Sequence, residues 1–219
     1  MYHSFGQQTI TDCLDVNIEK AYDEGYVFTR ISKGVMNQVQ SLRINLENFE
    51  FNSENRRILL KVENLKMEVI DLQLDNQDYD HRIHKIGTDF YFTKNNKEVF
   101  SAAKIKELVT NSDKSNFNTL LKFSINNEVV GYVICYRSED ILHYSYPFYD
   151  LTKDIPNLGM GMIMKSIEYS KSINLKYFYL GSISTSKSLY KLHFNNMEYF
   201  DEKTWSQDFE KLKSIINPE

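Results

Sequence analysis

The chain has 219 residues, of which 42% are hydrophobic and 26% are charged, and its formal net charge is −4 at pH 7. This balance is typical of a globular protein and excludes a disordered chain, and no apolar run approaches the roughly 18 residues that a transmembrane helix needs. The negative charge disfavours nucleic acid as a partner, unless a local basic patch provides a surface for phosphates.

The two cysteines predict neither a metal site nor a disulfide framework. Cys13 and Cys135 are far apart and lack metal-ligand spacing. The first residues lack the basic segment followed by an apolar segment that marks a secretory signal. We therefore expect a cytoplasmic protein without a membrane or DNA partner, in which both thiols are buried and unbonded.

The front of the chain predicts a small α/β module over residues 1–80. Apolar residues at helical spacing predict a helix from Leu14 to Glu24, which Gly25 ends, and Ser53 suits the N-cap of a second helix. Alternating segments predict three strands, at Tyr26–Phe28, Ser41–Leu46 and Lys66–Leu72. The polar segment Asp75–Asp80 predicts a loop, and with it a domain boundary near residue 80.

Residues 81–219 predict an α+β domain with a mixed sheet flanked by helices. Its predicted strands are Phe90–Phe92, Thr119–Ile125, Val129–Tyr136, Ile141–Phe148, Tyr177–Leu180 and Met197–Phe200. Its predicted helices are Val99–Val109, Asn157–Ser172, Ser184–Phe194 and one that ends with Leu212–Ile216. Asn126 and Asn127 suit a tight turn, so the strands on either side of them are predicted to be antiparallel.

A glycine pair opens the helix that follows the third central strand. Gly159 and Gly161 would let backbone N–H groups approach a phosphate at the helix N-terminus. This layout resembles the GNAT acyltransferases, whose glycine loop holds the pyrophosphate of acyl-CoA. Pro156 occupies the position where that loop carries a basic residue. The alternative interpretation is that both glycines serve close helix–strand packing.

Several short segments resemble the arginyl/leucyl-tRNA–protein transferase family, within the GNAT superfamily. At the front, the strand Ser41-Leu42-Arg43-Ile44 is followed by Phe49 and then Asn55-Arg56-Arg57, where the family has Gln-Arg-Arg. At the back, the matching residues are Phe148, Tyr149, Asp150, Leu158, Gly159, Tyr177, Tyr179, Leu180, Gly181, Lys187, Tyr190, Lys191 and Phe194. Their order and spacing agree over roughly three quarters of the chain, so the resemblance implies a GNAT-like fold.

The resemblance implies an enzyme that transfers an amino acid, Arg or Leu, from aminoacyl-tRNA to the N-terminus of an acceptor protein beginning with Asp or Glu. The tRNA is a co-substrate, and no cofactor or metal is expected. The residues proposed as catalytic are Asp150, for the amine, with Tyr149 and Tyr190 for the oxyanion or for stacking on the terminal adenine. Those proposed to bind the substrates are Arg56, Arg57, Lys187, Lys191, Gly159 and Gly161.

One departure from the family leaves alternatives open. The family carries a cysteine cluster between its first strand and its Arg-Ile or Arg-Val strand, whereas residues 29–40 contain no cysteine. Metal or iron–sulfur regulation is therefore not carried over. The alternatives are an acyl-CoA-dependent N-acetyltransferase, with acetyl-CoA as co-substrate, and a relative that binds N-termini without modifying them.

Overall fold

A computed structural model describes residues 4–216, apart from the side chains of Ser186 and Lys187. The described residues form two compact units, each assembled from separate stretches of sequence. The first unit contains residues 4–55, 138–143 and 170–216, and the second contains residues 56–137 and 144–169. The predicted boundary near residue 80 lies inside the second unit, and independent domains at 1–80 and 81–219 stay a prediction.

The described residues contain both strands and helices, which confirms the α+β class. The strands are β1 (Ser4–Thr9), β2 (Tyr26–Phe28), β3 (Val35–Val39), β4 (Ser41–Asn45), β5 (Lys66–Asp71), β6 (Thr119–Ile125), β7 (Glu128–Arg137), β8 (Ile141–Tyr149), β9 (Tyr177–Ser182), β10 (Met197–Phe200) and β11 (Trp205–Ser206). The α-helices are α1 (Asp15–Asp23), α2 (Ser53–Lys61), α3 (Arg82–Asn95), α4 (Ala102–Thr110), α5 (Leu158–Ser172) and α6 (Phe209–Ile216), and a 3-10 helix spans Ser186–Leu192.

The first unit contains a small antiparallel sheet and a set of mixed strands. β3 pairs antiparallel with β1 and with β2. β4 pairs antiparallel with β9 and with β10, and β11 pairs with β10. Ile141 to His143, the first residues of β8, pair parallel with β9, which makes this sheet mixed as predicted. The largest fully buried apolar side chains here belong to Tyr22, Met36, Leu42, Phe49, Phe178, Tyr179 and Tyr199.

The second unit contains the strands β5, β6 and β7 and the rest of β8. β6 pairs antiparallel with β5 and with β7. Asn126 and Asn127, between β6 and β7, have φ of 50° and 63°, the left-handed geometry that the predicted tight turn requires. Gly87 lets α3 approach its neighbours closely, because a Cβ there would lie 2.6 Å from Ile105 of α4 and 3.4 Å from Phe148.

Most predicted elements are confirmed, but one predicted strand is wrong. Phe90–Phe92 lies within α3. The ring of Phe90 packs on Tyr149 at 4.8 Å and the hydroxyl of Tyr91 donates to the carbonyl of Pro147, whereas Phe92 is exposed. Three aromatic residues in a row suggested a strand because β-propensity favours them, yet the inward-facing residues follow a helical period.

Strands β1 and β3 and the burial of Cys13 differ from the sequence predictions. β1 and β3 were not predicted, because their many polar residues hide the alternation that marks a strand. Cys135 is buried as expected, whereas Cys13 is exposed, so the prediction that both thiols are buried is wrong for Cys13. Within residues 4–216, no helix combines the length and the apolar character needed to cross a membrane.

Candidate functional site

The glycine pair of α5 lies against side chains of the second unit. A Cβ on Gly161 would come within 2.8 Å of Val62 Cγ2 and 3.3 Å of Leu65 Cδ2, and one on Gly159 within 3.3 Å of the Tyr149 ring. The backbone N–H of Gly161 donates to the carbonyl of Asn157 at 2.8 Å. Close packing therefore accounts for both glycines, and the amide of Gly161 already has an acceptor inside the protein. A role of Gly159 and Gly161 in binding a substrate phosphate stays a prediction.

Tyr149 lies at the end of β8, beside the start of α5. Its ring packs on Phe90 at 4.8 Å, and its hydroxyl oxygen lies 3.5 Å from the position that a Cβ on Gly159 would take. Burial raises the pKa of Tyr149, so the hydroxyl keeps its proton and is a donor. Among residues 4–216 this hydroxyl makes no hydrogen bond, which leaves it able to donate to a substrate oxygen.

Asp150 follows Tyr149 and shapes the next loop. Its Oδ1 accepts hydrogen bonds from the backbone N–H of Thr152 at 2.9 Å and from Thr152 Oγ1 at 2.6 Å. Its own N–H donates to the carbonyl of Val130. The carboxylate thus acts as a loop-forming residue, while Oδ2 has no hydrogen bond within the described chain. The predicted contact with an amine would use this second oxygen.

Arg56 and Arg57 are exposed on α2. Val62, one residue after the end of α2, lies next to Gly161. Val62, which contacts the Gly161 position, follows Arg57 by five residues, or about 8 Å along a helix axis. This arrangement brings the arginines and the glycines into neighbouring parts of the second unit. The predicted convergence of both guanidinium groups on the Gly159 backbone stays a prediction.

Asn55 is fully buried in the first unit. Its Nδ2 donates to the carbonyl of His193 at 3.2 Å, and Asn52 Nδ2 donates to the same carbonyl at 2.9 Å. The amide side chain of Asn55 thus makes a structural hydrogen bond. Asn55 Oδ1 is buried without a hydrogen-bond partner in the described chain.

Lys191 lies in the 3-10 helix of the first unit and contacts backbone oxygens. Its Nζ donates to the carbonyl of Leu180 at 2.7 Å and to that of Ser182 at 3.0 Å. Leu180 is the extra residue of a β-bulge, because Gly181 and Tyr179 pair with consecutive residues of β4. Burial lowers the pKa of Lys191 to about 8, so the ammonium predominates at pH 7 and the neutral form becomes the major one only above pH 8. Binding a substrate phosphate, the predicted role, would require Nζ to leave these carbonyls.

His143 is buried beside Lys191 and is held by Tyr22. The hydroxyl of Tyr22 and Nδ1 of His143 share a hydrogen bond of 2.8 Å. Burial, and then the charge of Lys191, lowers the pKa of His143 to about 3, so the imidazole stays neutral. This environment suits packing and hydrogen bonding and not proton uptake at neutral pH.

The remaining predicted residues lie in the same 3-10 helix. Tyr190 is 44% exposed, which fits stacking on a base but equally fits an ordinary surface tyrosine. The side chain of Lys187 lies outside the described part of the chain. Their roles stay predictions.

A family model described as the C-terminal part of arginine-tRNA-protein transferase matches residues 76–201, more than half of the chain. The chain belongs to the arginine-tRNA-protein transferase family. The match extends from the loop before α3 to the end of β10, and therefore includes Tyr149, Asp150, both glycines of α5 and the 3-10 helix.

Two curated relatives agree with this family. The chain is 26% identical over 188 residues to an aspartate/glutamate leucyltransferase of Acinetobacter baumannii, and this match covers 83% of the chain and 65% of the relative. It is 24% identical over 161 residues to an aspartate/glutamate leucyltransferase of Helicobacter hepaticus, covering 71% of the chain and 64% of the relative. The chain thus spans slightly less than two thirds of the length of these relatives.

A solved structure of L-PGS from Bacillus licheniformis resembles this member of the transferase family in fold. The TM-score is 0.50 at 11% sequence identity, and the match covers 76% of this chain and 51% of that one. A likeness at this level of identity concerns the arrangement of strands and helices, so the function has to be argued from the family and from the residues.

In this member of the transferase family, the Arg-Ile strand carries a buried cation, Arg43, to which the sequence motif alone assigns no role. Arg43 is 5% exposed, and its guanidinium pairs with Asp23 and with Glu198, both at 2.8 Å. Burial alone would lower its pKa, but Tyr179, Asp23 and Glu198 together raise it, so the group stays charged.

Aromatic rings complete the surroundings of Arg43. Its Cζ lies 4.1 Å from the ring centroid of Tyr177 and 3.9 Å from that of Trp205. Trp205 Nε1 donates to the carbonyl of Asp23 at 2.7 Å, which fixes the ring beside the ion pair. Trp205 is therefore an anchor whose partner is a cation. The sequence signal for this cluster of charged and aromatic residues is an arginine at an inward-facing strand position.

Proposed function

We propose that this chain transfers an amino acid from aminoacyl-tRNA to the N-terminus of an acceptor protein. The observation that carries the proposal is the family match over residues 76–201. The names of the A. baumannii and H. hepaticus relatives favour leucine as the donor amino acid and Asp or Glu as the first residue of the acceptor. A cytoplasmic site of action, where charged tRNA is made, and a role in the N-end rule belong to the same proposal.

The reaction requires positioning more than strong chemical activation. The α-amine of the acceptor attacks the ester carbonyl, an amide bond forms, the ester C–O bond breaks, and the tRNA 3′ oxygen leaves with the proton that the amine loses. Because the ester is already activated, orientation of the two substrates and stabilisation of the oxyanion account for most of the expected rate enhancement.

Tyr149 is the residue we propose as the oxyanion donor. Its hydroxyl is protonated, is half-buried, and has no hydrogen bond within the described residues. Asp150 Oδ2 would hold the acceptor ammonium before it loses its proton, while Oδ1 keeps the loop in place through Thr152. Tyr190 would stack on the terminal adenine of the tRNA.

Arg56 and Arg57 are proposed to bind the acidic first residue of the acceptor or the phosphates of the tRNA. A guanidinium suits both, since it binds carboxylates and phosphates through paired hydrogen bonds. Both side chains are exposed on α2, as a contact with an incoming substrate requires. They also supply local positive charge on a chain whose net charge is −4.

The activity is tested directly with charged tRNA. The protein is incubated with Leu-tRNA or Arg-tRNA and with peptides that begin with Asp, Glu or Ala, and the products are analysed by mass spectrometry. We expect one leucine to be added to the Asp and Glu peptides and nothing to be added to the Ala peptide. Acetylation from acetyl-CoA, or no product with either tRNA, would overturn the proposal.

Two sets of variants identify the residues. Tyr149→Phe should lower kcat by about 100-fold if the hydroxyl stabilises the oxyanion, whereas Tyr26→Phe, which removes a hydroxyl from β2, should leave kcat unchanged. The double variant Arg56→Gln/Arg57→Gln should raise a KM. The KM for the peptide should rise if the two arginines bind its acidic first residue, and the KM for tRNA should rise if they bind phosphates. Lys61→Gln, which removes one exposed cation from the same helix, is the matched control.

A further inference from the structure

A cavity of about 250 Å³ lies in the second unit and contains none of the residues discussed above for amino-acid transfer. It lies where β5, β6 and β7 meet the loop before α3 and the first turn of that helix. Its apolar lining comes from Ile70, Leu74, Ile83 and Leu120. A cavity of this size accommodates a side chain or a small molecule, and apolar walls favour an apolar stem.

The polar lining of the cavity is predominantly negative. Three carboxylates, those of Glu68, Asp78 and Asp80, face a single ammonium, that of Lys122. Lys122 pairs with Glu68 at 2.9 Å, so the one cation of the lining is already neutralised. A lining with more carboxylates than cations disfavours an anionic ligand and favours a cationic one.

The two remaining carboxylates differ in their pairing. Asp80 pairs with Arg82, a residue outside the lining, at 2.6 Å, and this hydrogen bond lowers the pKa of Asp80. Asp78 makes no ion pair within the described residues. Asp78 therefore offers a carboxylate that a bound cation can use without breaking an existing pair.

Tyr132 supplies a second and independent indication of a ligand. The residue is only 2% exposed and lines the cavity, yet its hydroxyl makes no hydrogen bond with any described residue. Burial and the charge of Asp80 raise its pKa to about 12, which keeps the hydroxyl protonated. The hydroxyl oxygen is not one of the fully buried polar atoms of the described residues, so it is the part of this otherwise buried side chain that opens to the cavity and can bond to water or to an occupant with a hydrogen-bonding head.

We propose that this cavity binds an alkylammonium or alkylguanidinium group, with its cationic head between Asp78 and the Tyr132 hydroxyl and its apolar stem on Ile70 and Leu120. The ammonium donates to the Asp78 carboxylate and to the Tyr132 oxygen, which satisfies the hydroxyl as an acceptor. The methylene groups cover apolar surface that otherwise faces water. Free amines and the side chains of lysine or arginine in a peptide share this chemistry.

The test uses the full chain and measures binding by NMR titration. The probes are n-pentylamine for a free amine, N-acetyl-lysine methylamide for a side chain within a peptide backbone, and n-pentanol as the uncharged analogue of the same length. We expect at least one cationic probe to bind with a Kd on the order of 1 mM and to shift amides of β5, β6 and β7, and n-pentanol to bind at least tenfold more weakly. The stronger of the two cationic probes identifies the source of the ligand.

Matched variants localise the binding. Asp78→Asn should weaken the cationic probe about tenfold, and Tyr132→Phe should weaken it several-fold. Asp113→Asn removes the same charge from an exposed position after α4 and should leave Kd unchanged. Asp78 is exposed, so its variant keeps the fold, which thermal unfolding verifies. No binding by either cation, or binding that both cavity variants leave unchanged, would overturn the proposal whatever the result of the transfer assay.

Discussion

The motif residues have different physical roles in the two regions that carry the family resemblance, namely β4 and β9 in the first unit and the start of α5 in the second. In the first unit, β4 and β9 carry or contact buried cations that only specific partners satisfy. In the second unit, the start of α5 is a close contact in which glycines make room for Tyr149 and Val62. A motif residue in the first region is therefore sensitive to charge and hydrogen bonding, and one in the second region is sensitive to volume.

The first region itself contains two contrasting cations. Arg43 is surrounded by two carboxylates and two aromatic rings, and its pKa is raised. Lys191 contacts two backbone carbonyls and, within the described residues, no carboxylate, and its pKa is lowered to about 8. The first is permanently charged and suited to holding strands together, whereas the second loses its proton around pH 8.

The largest effect is expected from Arg43→Leu, which tests the structural role of the first cation. The variant removes the hydrogen bonds to Glu198 and Asp23 and the contacts with Tyr177 and Trp205, while Asp23, at 68% exposure, regains water, so we expect the free energy of unfolding to fall by about 2–3 kcal/mol. Urea denaturation measures this value. Lys85→Gln, which removes an exposed ion pair with Asp89, should not change it measurably. A loss for Arg43→Leu as small as that of the control would show that the buried pair is not structural.

The fold was largely predictable because its elements have strong local signals. The helix ended by Gly25, the paired asparagines between β6 and β7, and the alternating strands follow from periodicity and turn chemistry. The strand predicted at Phe90–Phe92 was wrong because three aromatic residues have high strand propensity, and so short a segment does not show the helical period of its buried positions. The discontinuous units could not be predicted, since the parallel pairing of residues 141–143 with β9 depends on contacts distant in sequence.

The site was predictable only as a set of residues. Motif spacing identified Tyr149, Gly159 and Lys191, but not what each one contacts. Gly161 was assigned to a phosphate, and the structure gives its amide an internal acceptor. The ammonium of Lys191 contacts two carbonyls of β9, an arrangement that depends on the bulge at Leu180 and leaves no trace in the sequence.

A pH titration of stability tests the second cation. The folded pKa of Lys191 is about 8 and the unfolded value is about 10.4, so between these values the unfolded state binds more protons and stability rises with pH. The free energy of unfolding of the native protein should therefore increase relative to Lys191→Met from pH 8 to pH 10, by up to about 1.4 kcal/mol per pH unit. Lys61→Met, at an exposed position, should show no such slope. Parallel curves for the native protein and Lys191→Met would mean that Lys191 titrates normally.

A smaller effect is expected at Gly181, which lies between the two carbonyls that bind Lys191. Its φ is +70°, and a Cβ there would lie 3.4 Å from His143 Nε2. Gly181→Ala should cost about 1–2 kcal/mol because an L-residue is strained in this conformation. Gly6→Ala is a close control, since its Cβ would also meet a neighbour at 3.4 Å but its φ is not positive. Equal losses in both variants would assign the cost to space and not to the backbone.

The smallest net effect, at Gly161, separates packing from anion binding. Gly161→Ala gains about 1 kcal/mol of helix propensity but places a Cβ 2.8 Å from Val62, so the net change in stability should stay within about 1 kcal/mol. The informative quantity is the coupling with Val62→Ala in a double-mutant cycle, which should exceed about 0.5 kcal/mol because the shorter side chain relieves the contact. If Gly161 serves packing alone, any transfer activity that Gly161→Ala loses should return in the double variant. If the activity stays low although the coupling is present, the substrate needs close access to the backbone at Gly161, and the glycine pair has a role beyond packing.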